Sequence, residues 1–255
     1  EGLEWLFRNY GSIGELVRTL DAQVHSLDDS SKVPLLRKVA ELNLEDGKKP
    51  KAIKAFATIM TIDPQNADAA SQLVPLYEAT EAWENLPDVI DVVIDATVEI
   101  EYRQALLVKK AKVHENQLDD LDAAFFCYVT AIEQEPENPE IRAEFDRLAD
   151  ASGNWETYVE ILEKIAKLAG DDLRTKVSLL MHVARVYSEQ LNDNEKSLNH
   201  YQVIYEQLDP GNSAALSQIE SLYRAGERWE ELVDVLHSRL EQAGLSDEDE
   251  KSLRF

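Results

Sequence analysis

The chain has 255 residues, 44% of them apolar and 30% charged, a balance that excludes intrinsic disorder. Its formal net charge of −24 repels phosphate backbones and anionic membranes, so it excludes nucleic-acid binding without a strong local basic patch. The one cysteine, Cys127, excludes an intrachain disulfide, and no run of about 18 apolar residues is present to insert in a membrane.

The few glycines and prolines fall between periodic segments, which predicts an all-α chain. Residues 3–10, LEWLFRNY, read as a partial helix, Gly11-Ser12 as a turn, and residues 13–27 as its partner. Residues 28–31 form a polar break rich in capping side chains. Residues 33–66 make a complete helix–turn–helix: Leu36, Val39, Ala40 and Asn43 mark its first helix, Gly47 its turn, and Ala52, Phe56 and Ile59 its second, closed by Pro64. Residues 67–100 are a different kind of pair, with Leu73, Leu76 and Tyr77 in the first helix. Trp83, Leu86, Ile90 and Val93 follow in the second, with no closing proline.

Residues 101–138 return to the first kind, with an extra residue expected in the turn near Leu118-Asp119. Ala124, Tyr128 and Ala131 stand at i, i+4 and i+7 on one face, and Pro136 stops the helix. Residues 139–172 repeat the second kind around Phe145, Leu148, Trp155, Ile161 and Ile165. Residues 173–212 repeat the first with Leu180, Ala184, Tyr187, Tyr201 and Pro210, and residues 213–245 the second with Ile219, Leu222, Tyr223, Trp229, Leu232 and Leu236. Residues 246–255 begin a further helix. Trp83, Trp155 and Trp229 recur at about twice the spacing of a common helical repeat, as do Pro64, Pro136 and Pro210. The tryptophans are expected to pack between adjacent units.

These units resemble the tetratricopeptide repeat, a family of about 34-residue helix pairs. Ala40, Ala52, Phe56 and Pro64 match its pattern of small, aromatic and closing proline residues, as do Ala124, Tyr128, Ala131 and Pro136. Asn43 departs from it where an aromatic is usual, and Ile59 replaces a small residue. The resemblance covers nearly the whole chain and implies an all-α fold: one right-handed superhelical array of antiparallel helix pairs over residues 1–255. Its units are 1–32 (partial), 33–66, 67–100, 101–138, 139–172, 173–212, 213–245 and 246–255 (truncated). The chain reads as a piece of a longer protein. Its single cysteine fits a reducing compartment, and a cytoplasmic location is expected.

No catalytic constellation stands out, and no enzyme activity, metal or cofactor is expected. The five histidines lack metal-ligand spacing, although His182 and His200 lie in the two helices of one unit and are placed to approach each other. Acidic runs such as Asp119-Asp120 and Asp247-Glu248-Asp249-Glu250 lack the glycine and glutamate of a calcium loop and sit where carboxylates favour helix starts. The resemblance implies a non-catalytic scaffold whose first helices line a groove for a peptide or partner protein. By register that groove carries Arg37, Lys38, Lys109, Lys112, His182 and Arg185, a basic track suited to an acidic peptide. Glu41, Glu45, Glu115 and Glu189 lie on the same helices and make the surface mixed. The carboxylate clamp of the family's co-chaperones is not matched: Glu41 stands where asparagine is needed, and Asp68 and Gln72 do not complete the set. Two alternatives stay open: a structural spacer or oligomerisation segment, and the regulatory arm of an enzyme encoded elsewhere in a longer chain. The oligomeric state is not legible in the sequence.

Overall fold

Every residue described in the computed structural model, 12–242 with side chains through 237, lies in a helix or a short connection. The expected helices at 3–10 and 246–255 lie outside those residues. In order the helices are α1 (Ile13–Val24), α2 (Asp29–Glu45), α3 (Lys49–Ile62), α4 (Ala67–Ala79), α5 (Leu86–Ala96), α6 (Ile100–Gln117), α7 (Leu121–Gln134), α8 (Pro139–Ser152), α9 (Trp155–Leu168), α10 (Leu173–Glu189), α11 (Asn194–Val203), α12 (Ser213–Ala225) and α13 (Trp229–Gln242). A single 3₁₀ turn, Trp83–Asn85, precedes α5, and a π turn, Ile204–Leu208, extends α11. The chain divides into two compact units, Glu1–Leu148 and Ala149–Phe255. In the first, each of α1 to α6 packs on the helix that follows it, and in the second α9 to α12 do the same. Tight turns make consecutive helices antiparallel.

Two turn chemistries recur. Within each pair the chain reverses through one residue in the left-handed region: Gly47 (φ 71°), Glu81 (54°), Asp119 (54°), Gly153 (75°), Asn192 (54°) and Glu227 (53°). That conformation suits glycine, yet four of the six positions carry a side chain. The spacing from one to the next is about 34 to 39 residues, the tetratricopeptide period with additions.

The turns that close α3, α7 and the π turn share a second design. Asp63, Glu135 and Asp209 take nearly the same extended geometry (φ −132°, −132° and −146°), the conformation that a following proline enforces. Two residues past each proline stands an asparagine. Asn66 donates from Nδ2 to Asp63 (2.9 Å), Asn138 to Glu135 (3.1 Å) and Asn212 to Asp209 (3.0 Å). Their Oδ1 atoms accept from the backbone N–H of Ala69, Ile141 and Ala215, capping the next helix.

The core is the inner face of every helix. Ala40, Ala52, Phe56, Ala124, Tyr128 and Ala131 are buried, so the small residues admit the bulky aromatic between helices as the spacing predicts. Asn43, the departure from the family pattern, is buried too, its Nδ2 satisfied by the Val39 carbonyl at 2.8 Å. Ser197 occupies the position of Ala52 and Ala124, fully buried, with no hydrogen-bond partner for its hydroxyl.

Several expectations are corrected. The polar break at 28–31 is a cap followed directly by helix: Asp28 accepts from Ser31 N–H, and α2 begins at Asp29. Pro34 and Pro75 lie inside α2 and α4, not between elements. The turn at Leu118–Asp120 has the same length as Asp46–Lys48; the additional residues lengthen α6, which has 18 residues where α4 has 13. Trp83 opens a 3₁₀ turn, not the helix itself, and Trp229 is 58% exposed instead of packed between pairs.

Candidate functional site

Helix α6 presents Ala105, Val108, Lys112 and Asn116 along one face, at the i, i+3, i+7 and i+11 positions that share a stripe. Two depressions of the first unit meet on this stripe. One lies against Glu78 of α4 and Trp83, and also contains Lys109. The other, a cleft of about 830 Å³, lies against Asn138, Glu140, Ile141, Glu144 and Arg147 at and in α8, with Tyr128 of α7 at its floor. Together they form a trough from α4 across α6 to α8.

Ion pairs tie the successive first helices along this surface. Arg37 of α2 meets Asp68 of α4 at 2.9 Å, Lys109 of α6 meets Glu78 of α4 at 2.7 Å, and Arg147 of α8 meets Glu115 of α6 at 2.8 Å. The Arg147 pair is a two-pronged fork, and Glu144 holds the same guanidinium at 2.7 Å; both hydrogen bonds raise the arginine above its ordinary pKa. Lys112 makes no ion pair among the described residues and stands exposed between the two depressions.

Below the trough, buried Gln104 donates from Nε2 to the Ala131 carbonyl at 3.0 Å, while its Oε1 finds no hydrogen-bond partner. Burial pushes the Tyr128 hydroxyl up to about 12, so it stays neutral. Burial likewise raises the Cys127 thiol to about 11, which leaves it an unreactive core residue.

The six residues read as a basic track are therefore distributed unevenly. Lys109 and Lys112 share one depression. Arg37 and Lys38 stand on α2, Arg37 already engaged by Asp68. His182 and Arg185 stand on α10 of the second unit, where Arg185 donates to His182 Nδ1 at 2.8 Å. A guanidinium only donates, so Nδ1 is the bare nitrogen, and Nε2–H is directed at the Tyr158 hydroxyl 2.7 Å away. His182 and His200 are held by different partners: His200 Nε2 lies 3.1 Å from Glu163, whose Oε1 also accepts from Tyr187 at 3.0 Å, and the His200 and Tyr187 rings stack. Among the described residues there is no group of three or more His, Cys, Asp or Glu side chains arranged to hold a metal. None of their helices is long and apolar enough to cross a membrane.

Arg147 and Gln104 were not singled out by the sequence reading. The signal for Arg147 was available: Arg37/Asp68, Glu78/Lys109 and Glu115/Arg147 are opposite charges about one repeat apart, the separation that brings successive first helices side by side. Gln104 left no such signal, because a polar residue in a helix interior reads as solvent-facing until the neighbouring helices are placed.

The helix pairs have a tetratricopeptide-like fold. The recurring left-handed turn, the buried small–aromatic–small faces and the acid-proline turns all point to it. No protein-family model and no curated protein matches the sequence. Among solved structures, the chain is similar to a tetratricopeptide repeat protein from Parabacteroides merdae, with 15% identity, 98% of this chain and 93% of that one covered, and a TM-score of 0.38. It is similar to a chain of the Naa15/Naa10 complex bound to HypK-THB, with 15% identity over 90% of this chain and 37% of that one, TM-score 0.43. It is also similar to YrrB, described as a TPR protein with an unusual peptide-binding site, with 15% identity, 78% and 96% covered, and a TM-score of 0.35.

Proposed function

We propose that this chain is a non-catalytic scaffold that takes a peptide or partner-protein segment in the trough between α4, α6 and α8. The observation that carries this reading is the pair of depressions meeting on the Ala105–Val108–Lys112–Asn116 stripe. A concave surface that sets Ala105, Val108 and Ile141 among charged and amide side chains suits an extended segment better than a small metabolite. Lys112 supplies a cation for an acidic side chain, and Lys109 supplies a second once Glu78 is displaced. Arg37, Lys38, His182 and Arg185 serve the same purpose on their own helices, at lower strength where a carboxylate or histidine already holds them.

The test is a peptide selected from a random library on the intact chain. Its binding is expected to fall at least about ten-fold, some 1.4 kcal/mol, in Ala105→Arg with Val108→Asp, and less in Lys109→Glu with Lys112→Glu. Lys54→Glu, on the outer helix α3, should leave it unchanged. Equal binding by all of these would refute the trough. The spacer reading draws on the same ion pairs, which tie helix to helix whether or not a ligand is present; it expects no peptide to be selected at all.

A further inference from the structure

Five consecutive residues at the junction of α5 and α6, Val98-Glu99-Ile100-Glu101-Tyr102, are all exposed and alternate apolar with acidic. Val98 is 90% exposed, Ile100 and Tyr102 50% each. Apolar residues held this far into water at one place mark an interaction surface more often than a fold requirement. The fold does not call for them. The period from Glu81 to Asp119 exceeds that from Gly47 to Glu81 by about four residues, taken up in the longer α6, whose first turn carries Ile100 and Tyr102. Nor does local capping use the charge: Thr97 closes α5 through its hydroxyl on the Val93 carbonyl, and Glu99, at the N-cap of α6, makes no side-chain cap.

The charge leading into the patch has one sign up to Arg103, which follows Tyr102 and is half-buried. From Glu81 to Tyr102 there are seven carboxylates and no lysine, arginine or histidine. Glu84 in the 3₁₀ turn and Asp88, Asp91 and Asp95 in α5 follow a spacing of three and four residues, the last three on the face opposite the buried Leu86, Val89, Ile90, Val93 and Ile94. Asp91 is held by Lys110 of α6 at 2.6 Å; the other three make no ion pair among the described residues. The corresponding junction in the second unit also exposes Leu168 and Leu173, but Lys164, Lys167 and Arg174 stand beside them. That junction therefore lacks the acid-only stripe of α5.

We propose that Val98, Ile100 and Tyr102, with the stripe Glu84–Asp88–Asp95, form a docking surface for a cationic amphipathic segment of a partner protein. Its apolar side chains would cover the junction while its lysines or arginines follow the carboxylates along α5. The surface is distinct from the trough and selects the opposite charge. Carboxylates steer the encounter and reject acidic competitors, and the apolar contact holds the complex.

The probe is a synthetic leucine–lysine peptide patterned as an amphipathic helix, compared with a serine–lysine peptide of the same charge, both against the intact chain. The leucine peptide is expected to bind at least about ten-fold more tightly, and to protect backbone amides of residues 84–102 from hydrogen exchange. Val98→Ser, Ile100→Ser and Tyr102→Ser together should remove that margin while leaving the serine peptide unaffected. Asp88→Asn with Asp95→Asn should weaken both peptides and flatten their salt dependence. Because all five positions are exposed, an unchanged thermal midpoint confirms that each variant is folded. A margin that survives the triple substitution, or protection found on α4, α6 and α8 in place of the junction, overturns the proposal. Ala105→Arg with Val108→Asp, which disables the trough, should not alter binding here, so the two surfaces fail separately.

Discussion

Arg147 of α8 holds Glu115 of α6 by two parallel hydrogen bonds of 2.8 Å, joining first helices that belong to successive pairs. A planar fork on a carboxylate is the ion-pair geometry most able to fix one helix against another. Arg147 is nevertheless well exposed to solvent, which limits its strength. A double-mutant cycle with Arg147→Ala and Glu115→Ala, read by chemical denaturation, should give a coupling of about 0.5–1 kcal/mol that shrinks in high salt. Zero coupling at low salt would mean that the fork merely decorates packing set elsewhere.

The asparagine that follows each acid-proline turn binds in two directions, back to a carboxylate and forward to a helix N–H. Asn66→Ala, Asn138→Ala and Asn212→Ala should each cost about 1 kcal/mol as lost caps. Asn66→Asp separates the two roles. It keeps the cap acceptor but sets a second carboxylate beside Asp63, 2.9 Å from where an amide now donates. That variant should be less stable than wild type at neutral pH and recover below about pH 4, as carboxylates take up protons. A pH-independent deficit would contradict this account.

Side chains at the left-handed turn positions carry strain that glycine would not. Glu81→Gly and Glu227→Gly should raise stability by up to about 1 kcal/mol, the relief of a left-handed side chain less the extra freedom of the unfolded chain. Gly47→Ala should lower it by about 1 kcal/mol or more, through φ alone, since no atom lies within 4 Å of where its Cβ would stand. Thermal denaturation of the three variants checks the sign of each.

Two histidines make the fold acid-sensitive. His114 and His200 are both held below the ordinary value of 6.5, in each case first by burial; Asp120 opposes the shift at His114 and Glu163 at His200. A histidine with a lowered folded pKa binds its proton more readily in the unfolded chain. Stability is then full above about pH 6.5, and is lost as the pH falls from there through the folded values. The thermal midpoint should drop between about pH 7.5 and 5.5, and His114→Gln with His200→Gln should flatten the curve. A midpoint that rises on acidification would show that the Asp120 and Glu163 contacts prevail over burial.

The helices and their inner faces were legible in the sequence because two short-range signals agree. Small–aromatic–small spacing sets the face, and proline after an acid sets the stop, as at Ala124, Tyr128, Ala131 and Pro136. What was not legible depends on partners from other helices or on backbone that a side chain conceals. Gly47 announces its left-handed turn; Glu81, Asp119, Asn192 and Glu227 adopt the same conformation without announcing it. The charges of the trough could be named, but not that Asp68 and Glu78 would occupy Arg37 and Lys109. That pairing belongs to the stacking of one helix pair on the next, which no single pair encodes.

The π turn at Ile204–Leu208 has a consequence for how such arrays change. From its N-cap Asp193 to Asp209 ahead of the proline, this helix is one residue longer than its counterparts, Lys48 to Asp63 and Asp120 to Glu135. The surplus residue is taken up inside the helix as an i→i+5 bond, Asp209 N–H to the Ile204 carbonyl at 2.7 Å, and both flanking turns keep their geometry. An insertion absorbed in this way leaves the splice points of the module unchanged. Segments 193–212 and 120–138 therefore share their splice points, and a single-residue indel in one of these second helices changes its length without disturbing its joints.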